Sequence, residues 1–363
     1  MTLSFLGGVM GYFIFLVCYT IVVGCLCNIE GRKLKDKKKA AVVLLLVPYF
    51  IVYALADGNS MTDTPSYIEF FEQAKGVSFQ GLKDVNAYFE YGWLLLTYLL
   101  SRISHSPQII FFFIGSLIIY CYGKSIEKYS PIPGLSIIIF LCTIYPQSLY
   151  VLRQHSAIAI ILLSLPAILN RDIVAYLACM ICAISLHLSA IVFLPMYWLY
   201  SVKLNKKFFV AVLIVIPIFS FLALGFLNKI IDQFAFLSHY GSYLEEGEVG
   251  NYTAFLIHLI ELLLCLYLLH PVSEVETATK LFFLMLIVAL LLDVVGTRAP
   301  ITGRLNMYYS VSDIFILPIA CSRIRNPNLR IVCICAICLC FVIKSIISES
   351  WTGNSLGSFR LII

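Results

Sequence analysis

The chain alternates between long apolar stretches and short polar segments. A helix of about 20 apolar residues crosses a bilayer, and slightly shorter helices are tolerated inside a bundle. The pattern therefore predicts an all-α polytopic membrane protein of about twelve spans, with residues 1–363 forming one membrane domain. The predicted spans are Gly8–Cys27, Ala40–Ala56, Ser106–Gly123, Pro133–Leu149, Ser156–Leu169, Ile173–Leu186, Leu188–Tyr200, Phe208–Leu227, Thr253–Leu269, Leu281–Val295, Leu305–Cys321 and Ile331–Ile347.

One further apolar stretch, Gly92–Ile103, has only about a dozen residues, which is too short to cross a bilayer. We expect a re-entrant or interfacial helix at this position. Counting it as another span would invert the predicted side of every later loop.

The side of each loop follows from its lysines and arginines, which are enriched in cytoplasmic loops. A basic run from Arg32 to Lys39 follows the first span, and Lys124 lies at a predicted inner helix end. Both termini are therefore predicted on the outer side. Two long outer segments, residues 57–89 and 228–252, are predicted to form an extracytoplasmic cap.

Composition excludes a soluble domain, because 61% of the residues are hydrophobic and only 12% are charged. We expect membrane lipids, and no nucleic acid, among the partners. The cysteines lie mostly inside apolar runs and are interpreted as small membrane hydrophobes. Even the closest set shares one predicted helix with no His or carboxylate, so no metal site is predicted. That set is Cys333, Cys335, Cys338 and Cys340.

Arg153 lies between two apolar stretches, in the segment Tyr150–His155. An Arg at membrane depth costs roughly 3 kcal/mol on insertion scales, so it is rare there without a partner or a task. We predict that Arg153, with Gln154 and His155 in the same turn, holds an anionic, lipid-borne substrate at the outer face. The alternative is an Arg that snorkels from a helix end to the interface.

The other arginines that the topology places outside are Arg102, Arg298, Arg304 and Arg360. A guanidinium group pairs bidentately with phosphate, so arginines converging near the outer leaflet would indicate a phosphate or pyrophosphate ligand. Snorkelling toward lipid phosphates would give a similar distribution. Arg298 and Arg304 bracket a turn containing Pro and Gly, which could bring both groups to one ligand or separate them.

Residues suited to proton transfer also fall on the outer side. Asp63 and Glu90 are embedded among aromatic residues near the membrane boundary, and His187 lies at a predicted hairpin tip. A carboxylate or a neutral imidazole can accept the proton of an attacking hydroxyl. Solvated loop acids and a hydrogen-bonded structural His are the alternatives.

Aromatic rings beside carboxylates are typical of carbohydrate sites, because rings stack on sugars and carboxylates accept hydrogen bonds from their hydroxyl groups. The residues predicted to bind glycan are Tyr67, Tyr91, Trp93, Tyr150 and Tyr308.

Acidic residues also lie within or near the predicted spans, at Glu261, Asp293 and Asp313. Glu261 follows His258 by three positions and therefore shares its helix face. Intramembrane acids are functional candidates, although these could simply pair with polar neighbours in the bundle. The chain contains no Walker motif, glycine-rich phosphate loop, HExxH motif or nucleophile elbow, so transfer driven by ATP is not expected.

Short motifs spread from about residue 57 to residue 310 resemble, in order, those of Wzy-type polysaccharide polymerases, particularly the EpsG-like group. The chain departs from that pattern at Gly357–Arg360, where a Pro-Tyr pair is expected. The matching motifs are Asp63–Tyr67, Glu90–Trp93, Leu152–Ala159, Leu186–Ala190 and Arg304–Tyr309.

The resemblance implies an enzyme that joins repeat units carried on undecaprenyl pyrophosphate into O-antigen, capsule or exopolysaccharide. It implies a membrane-embedded glycosyltransferase of the C type (GT-C) in the bacterial inner membrane, with its active site facing the periplasm or exterior and without metal, ATP or other cofactor. Donor and acceptor are lipid-linked glycans, and a flippase and a chain-length regulator are the expected partners. The residues assigned to pyrophosphate are Arg153, Gln154, His155, Arg298 and Arg304, and the candidate bases are Asp63, Glu90 and His187.

A lipid-linked glycan flippase or another polysaccharide transporter is the alternative function. A transporter would place its charges near the midplane, between two related halves of the chain. Here the charges collect at the predicted outer ends of the helices, which favours the polymerase. A ligase that joins finished glycan to a lipid core would use similar residues, and the sequence does not separate it from a polymerase.

Overall fold

All regular secondary structure in the described part of the chain is helical. An isolated antiparallel bridge joins Ala56 to Leu361. The all-α prediction is therefore confirmed for these residues. The computed structural model describes residues 9–29, 34–86, 88–205, 207–208, 212, 214, 252–271, 275–297, 302–347, 356 and 359–362.

The helices follow the apolar stretches because a helix satisfies every backbone hydrogen bond within its own segment. Short 3₁₀ segments cover Gly58–Ser60, Phe79–Gly81 and Leu188–Phe193. The α-helices in chain order are α1 (Val9–Ile29), α2 (Leu34–Ala54), α3 (Thr64–Lys75), α4 (Leu82–Val85), α5 (Tyr91–Ile103), α6 (Gln108–Tyr129), α7 (Pro133–Thr143), α8 (Tyr145–Ser148), α9 (Leu152–Leu169), α10 (Ile173–Leu186), α11 (Met196–Leu199), α12 (Tyr252–Leu268), α13 (Thr277–Gly296), α14 (Thr302–Ser310), α15 (Asp313–Ser322) and α16 (Pro327–Ile347).

Among the described residues, four helices are long and apolar enough to cross a membrane, namely α6, α9, α13 and α16. Several shorter apolar helices accompany them, including α7, α10, α12 and α15. This establishes a helical membrane protein, while the count of twelve spans stays a prediction. The predicted span Phe208–Leu227 lies almost entirely outside the described residues.

Some predicted spans are interrupted. Leu305–Cys321 forms two helices, α14 and α15, with a break at Val311 and Ser312. Ser312 is the N-cap residue of α15 and makes no side-chain capping hydrogen bond. The break places Asp313 in the first turn of α15, where the helix dipole favours an acidic side chain.

Two further predicted spans are interrupted near a proline. Pro133–Leu149 divides into α7 and the single turn α8, which contains Pro146. Leu188–Tyr200 forms a 3₁₀ segment and then α11, which Pro195 precedes. Proline lacks the backbone N–H that continues a helix, so neither predicted span is one unbroken α-helix.

The chain divides into two compact units. Unit 1 contains residues 1–167, 172–191 and 325–363, and unit 2 contains residues 168–171 and 192–324. In unit 1, α2 packs on α6, α7 packs on α1 and α16, and α5 packs on α3 and α10. In unit 2, α13 packs on α12, α14 and α15. The hydropathy pattern contains no sign of this division.

The predicted interfacial stretch is helix α5, which has 13 residues and lies against α3. Its length of about 20 Å is less than the roughly 30 Å of the hydrocarbon core. Arg102, near its end, donates to the carbonyl oxygens of Lys75 at 3.1 Å and Val77 at 2.8 Å. Because these carbonyls terminate α3, Arg102 closes the C-terminal end of that helix.

The predicted cap is described for its first segment only. Residues 57–89 contain α3 and α4, and Tyr67, Phe70 and Phe71 of α3 are buried. This segment is therefore a packed helical element of unit 1. The second segment, residues 228–252, lies outside the described residues except for Tyr252.

The C-terminal segment returns to the end of α2. Asp57 N–H donates to the Arg360 carbonyl at 2.9 Å, and Arg360 Nε lies 3.0 Å from the Asp57 carboxylate. Ile362 N–H donates to the Leu55 carbonyl at 2.8 Å, and Phe359 is buried. Backbone and side-chain contacts together therefore attach the C-terminal segment to the end of α2.

Candidate functional site

Three of the predicted site residues meet in unit 1, although they are far apart in the sequence. Arg153 Nη1 donates to Glu90 Oε2 at 2.5 Å, and His187 Nδ1 lies 3.0 Å from Glu90 Oε1. The backbone N–H of Leu188 also donates to Oε1, at 3.0 Å. We call Glu90, Arg153 and His187 the outer triad, after the side on which the topology places them.

Each member of the outer triad lies at a helix end. Glu90 has an extended backbone at the N-cap of α5, and His187 follows the last residue of α10. Arg153 is in the first turn of α9, where the helix dipole disfavours a cation. The Glu90 carboxylate offsets this unfavourable charge, and all three side chains stay near the boundary of the apolar helices.

Gly92 permits the close packing of α5 on α10 that brings Glu90 to His187. A Cβ atom at position 92 would lie 2.6 Å from the carbonyl oxygen of Ser185. No side chain larger than hydrogen fits without moving the backbone of one helix. The Gly in the motif that begins at Glu90 is therefore a packing residue of the site.

The charge of Glu90 is fixed by its donors. Burial alone would raise the pKa of this carboxyl, but the hydrogen bond with His187, the charge of Arg153 and the Leu188 N–H lower the pKa to about 2. Glu90 is therefore ionised at any physiological pH, and a carboxylate with such a low pKa is a weak base.

Aromatic rings surround the guanidinium group of Arg153. Its central carbon lies 4.6 Å from the centroid of the Phe89 ring and 6.0 Å from that of Tyr67. Tyr67 in turn packs against Trp93, with ring centroids 5.1 Å apart. Burial raises the pKa of Tyr67 in spite of the nearby Arg153, so its hydroxyl stays protonated. This cage holds the guanidinium plane in place by cation–π contact.

The outer triad remains accessible to a ligand. The side chains of Arg153, Glu90 and His187 are 21%, 18% and 12% exposed. Asp63, at the N-cap of α3, is exposed and makes no side-chain capping hydrogen bond. Asp63 is thus placed in the same unit as the triad, one helical turn before Tyr67.

The two residues that follow Arg153 have a different environment. Gln154 and His155 are buried at 1% and 0% exposure. Neither ring nitrogen of His155 has a hydrogen-bond partner among the described residues. Both side chains point into the protein rather than to an open surface, so their predicted role in pyrophosphate binding has no support from their exposure.

The predicted glycan-binding residues also divide by exposure. Tyr91 is 70% exposed and Tyr150 is half-buried, so each presents ring surface. Tyr67 and Trp93 are buried in the cage around Arg153, and Tyr308 is buried in unit 2. The buried rings pack on protein atoms, and their assignment as stacking platforms was based on residue type alone.

The arginines predicted to gather with Arg153 have other positions. Arg102 closes the end of α3, and Arg360 pairs with Asp57. Arg304 is exposed on α14 of unit 2 and has an interaction of its own. Arg298 lies outside the described residues. The expected convergence of guanidinium groups is therefore not observed for Arg102 and Arg360, because carbonyl oxygens at the end of α3 hold Arg102 and the Asp57 carboxylate holds Arg360.

Sequence reasoning missed several contributors to the site. Phe89 supplies the nearest ring to Arg153, and Leu188 supplies a backbone donor to Glu90. Both are direct chain neighbours of predicted site residues, which was the available signal. The contact of Gly92 with Ser185 had no such signal, because it depends on two helices that are distant in the sequence.

A second polar cluster lies in unit 2 and contains the three intramembrane acids. His258 Nδ1 pairs with Asp293 Oδ2, and His258 Nε2 lies 3.2 Å from Asp313 Oδ2. Asn306 donates to the other oxygen of Asp293. Within the described part of the chain, the residues whose ligand atoms are arranged to hold a metal ion are His258, Glu261 and Asp313.

Comparison with known proteins gives one family. The model of the EpsG family matches residues 41–355 of the 363, a range that includes the whole outer triad. No curated protein and no solved structure gives a significant match. The family, together with the apolar helices, indicates a membrane protein with a polysaccharide polymerase-like role of the glycosyltransferase type. Since the match covers most of the sequence, the chain belongs to the EpsG family.

Proposed function

We propose that this protein joins oligosaccharide repeat units carried on undecaprenyl pyrophosphate into a surface polysaccharide. The reaction takes place at the outer face of the bacterial inner membrane, in a fold of the GT-C class with about twelve spans. The observation that carries the proposal is the outer triad, in which the partly exposed side chains of Arg153 and His187 both contact the largely buried carboxylate of Glu90.

Arg153 binds the pyrophosphate of the donor. Glu90 and Tyr67 both form hydrogen bonds with the guanidinium group, and the side chain is 21% exposed, so the remaining terminal N–H donors are available to a ligand. Arg153 lies at the N-terminus of α9, so both the guanidinium charge and the helix dipole favour an anion at this position.

His187 is the base. When Nδ1–H donates to the ionised Glu90, the lone pair of Nε2 remains available for a proton. A hydroxyl group of the acceptor glycan attacks the anomeric carbon of the donor glycan, and a new C–O bond forms. The hydroxyl proton passes to His187 Nε2, and the bond from the anomeric carbon to the pyrophosphate breaks. The carrier lipid leaves with the electron pair as a pyrophosphate anion, which Arg153 stabilises.

Glu90 positions the other two residues. Because the pKa of Glu90 is about 2, it remains a carboxylate throughout and acts as the anion that orients His187 and Arg153. Asp63 is the second candidate base, since it is exposed within the same unit. Tyr91 and Tyr150 are the rings available for contact with the glycan.

The chemistry needs neither ATP nor a catalytic metal at the outer triad. Pyrophosphate is a good leaving group, so it requires charge neutralisation more than protonation, and Arg153 supplies that charge. A flippase delivers the lipid-linked units to this face, and a chain-length regulator is a partner. The transport alternative lacks a comparable reason for a His–carboxylate pair beside an Arg.

The test is reconstitution of the purified protein with lipid-linked repeat units and no ATP. We expect lipid-linked chains of increasing length on gels, with release of undecaprenyl pyrophosphate. If the units move between leaflets but no chain lengthens, the protein is a transporter. If only a finished chain is moved to a lipid core, it is a ligase.

The substitution Arg153→Lys should abolish polymer although the protein is inserted at normal abundance. Lys retains the charge but loses the planar fork, so it cannot hold Glu90 and pyrophosphate together. Gel analysis of surface glycans should show single repeats only. The matched control is Arg325→Lys, at an exposed site outside the triad, which should give a normal ladder. A normal ladder from Arg153→Lys at normal expression would contradict the assignment.

A further inference from the structure

The polar cluster of unit 2 is not used by the proposed reaction. Its members come from four helices: His258 and Glu261 from α12, Asp293 from α13, Asn306 from α14 and Asp313 from α15. All five side chains are more than nine-tenths buried. Buried groups of this kind are costly unless something neutralises them, so their convergence requires a ligand or a tightly held network.

The charges of the cluster do not balance. Asp293 and Asp313 both contact the one imidazole of His258, so even an imidazolium would leave negative charge if both carboxyl groups are ionised. Among the ion pairs of the described residues, Asp293 and Asp313 pair with His258 and with no Lys or Arg. A further positive charge is therefore needed to balance these buried carboxylates.

Some buried side-chain oxygen atoms of the cluster accept no hydrogen bond from the described residues. Within the described residues, Asp313 Oδ1 and Asn306 Oδ1 are buried and accept no hydrogen bond. Both are oxygen atoms with lone pairs, and those of Asp313 Oδ1 are available to coordinate a metal ion. A protonated carboxyl group at Asp313 would instead add a donor.

The contacts around His258 suit a metal-bound imidazole. One ring nitrogen faces the Asp293 carboxylate, whose other oxygen accepts from Asn306. The opposite nitrogen faces Asp313, and ligand atoms of His258, Glu261 and Asp313 all lie within 4.8 Å of one another. Ligating His residues characteristically donate their second N–H to a carboxylate, which fixes the tautomer and the ring orientation.

We propose that His258 Nε2 and the carboxylates of Glu261 and Asp313 bind one divalent transition-metal ion, of the Zn²⁺ or Mn²⁺ class. Asp293 contacts the other ring nitrogen of His258, and Asn306 donates a hydrogen bond to Asp293, so these two residues fix the orientation of the imidazole. One nitrogen and several oxygen ligands suit these ions better than Cu⁺, which prefers sulfur. The ion links α12 to α15 directly and, through Asp293 and Asn306, fixes α13 and α14. It stabilises unit 2, and the proposal is independent of the proposed polymerase activity.

The test uses full-length protein purified through a streptavidin-binding tag, because an oligohistidine tag would itself bind the ion. The protein is treated with EDTA, dialysed against buffer containing Zn²⁺ or Mn²⁺, and washed, and bound metal is measured by mass spectrometry. We expect one ion per chain. The thermal unfolding midpoint should rise by roughly 2–4 °C when the ion is added back at 100 times its Kd.

Two variants locate the ion, and two matched controls accompany them. Asp313→Asn and His258→Gln should each lose the bound ion and the rise in Tm. Glu276→Gln and His270→Gln change the same residue types at exposed positions of unit 2 and should keep both. Less than about a tenth of an ion per chain in the parent protein, or full retention in Asp313→Asn, would overturn the proposal.

If either ligand variant fails to fold, Co²⁺ titration of the parent protein tests whether the cluster binds a metal ion. Co²⁺ bound by one imidazole and carboxylates should give visible absorption bands that saturate at one equivalent and disappear when Zn²⁺ is added. The same bands are expected for His270→Gln. Absence of the bands, or no saturation, would show that the cluster carries protons rather than a metal ion.

Discussion

At the scale of the residue, the site depends on how one carboxylate is shared. Glu90 accepts from Arg153, from His187 and from the Leu188 N–H, and each donor lowers its pKa against the effect of burial. The same contacts that make Glu90 a poor base make it a strong orienting anion. Its two neighbours are then held in one arrangement, which is what catalysis by preorganised charge requires.

The substitution Glu90→Gln should destabilise the protein in a pH-dependent manner. The carboxyl pKa is 4.5 when unperturbed and about 2 in the folded protein, so ionised Glu90 contributes about 3 kcal/mol at neutral pH. A lowered pKa gives stability that is present above pH 4.5 and is lost as the pH falls toward 2. The difference in Tm between parent and variant should be constant from pH 7 to pH 5 and lose more than half of its value by pH 3.

Thermal unfolding of both proteins in detergent measures this difference. Glu72→Gln is the control, because that acid is half exposed and paired only with Lys75 at the surface. It should change stability by roughly 0–1 kcal/mol. A gap for Glu90→Gln that stays unchanged down to pH 3 would contradict the low pKa.

The choice of base is decided by His187→Gln and Asp63→Asn. Removal of a general base lowers the rate of the chemical step by about 10²–10⁴. We expect that loss for His187→Gln, with binding of the lipid-linked unit retained, and only a few-fold change for the exposed Asp63→Asn. Single-turnover rates in the reconstituted assay measure both effects. The reverse ranking would transfer the role to Asp63.

At the scale of the element, contacts between helices determine the geometry of the triad. Helix α5 is short, lies against α3 and α10, and begins at Glu90, while α10 ends just before His187. The hydropathy pattern predicted α5 as a non-spanning helix, and its length and its packing on α3 agree with this. Helix breaks at Pro146, at Pro195 and before Asp313 were not predicted, because each lies inside an apolar run.

The substitution Gly92→Ala should separate α5 from α10. The added methyl group would meet the Ser185 carbonyl oxygen at 2.6 Å, which neither helix backbone can avoid without moving. Polymer synthesis should fall at least tenfold, because Glu90 moves away from His187.

The matched control is Gly76→Ala, where a Cβ atom would have its nearest neighbour at an ordinary 3.7 Å. This variant should retain activity. The measurement is the length distribution of surface glycan at equal protein abundance. A full ladder from Gly92→Ala would show that the two helices need no such close approach.

At the scale of the whole molecule, the described chain forms two units, each with its own polar cluster. Unit 1 holds the outer triad and unit 2 holds the cluster around His258. The topology places Glu90, Arg153 and His187 on the same side of the membrane, and their direct contact is consistent with that placement. The side itself is a prediction from the basic loops.

Reporter fusions test the orientation. Alkaline phosphatase fused after His105, before α6, should be active because this position is predicted outside. Green fluorescent protein fused after Ser130, beyond α6, should fluoresce because this position is predicted inside. An inactive phosphatase after His105 together with a dark fluorescent protein after Ser130 would place the triad on the cytoplasmic side. That result would contradict a donor bound at the outer face.

The sequence by itself determined the class of protein, the positions of most helices and the identity of Glu90, Arg153 and His187 as candidates. These follow from local properties, namely hydropathy over about 20 residues and the cost of charge in lipid. Only the tertiary structure decided which charges pair. Glu90 is 63 positions from Arg153 and 97 from His187, and Arg360 pairs with Asp57, which is 303 positions away. The physical reason is that pairing depends on helix packing, which no local pattern along the chain encodes.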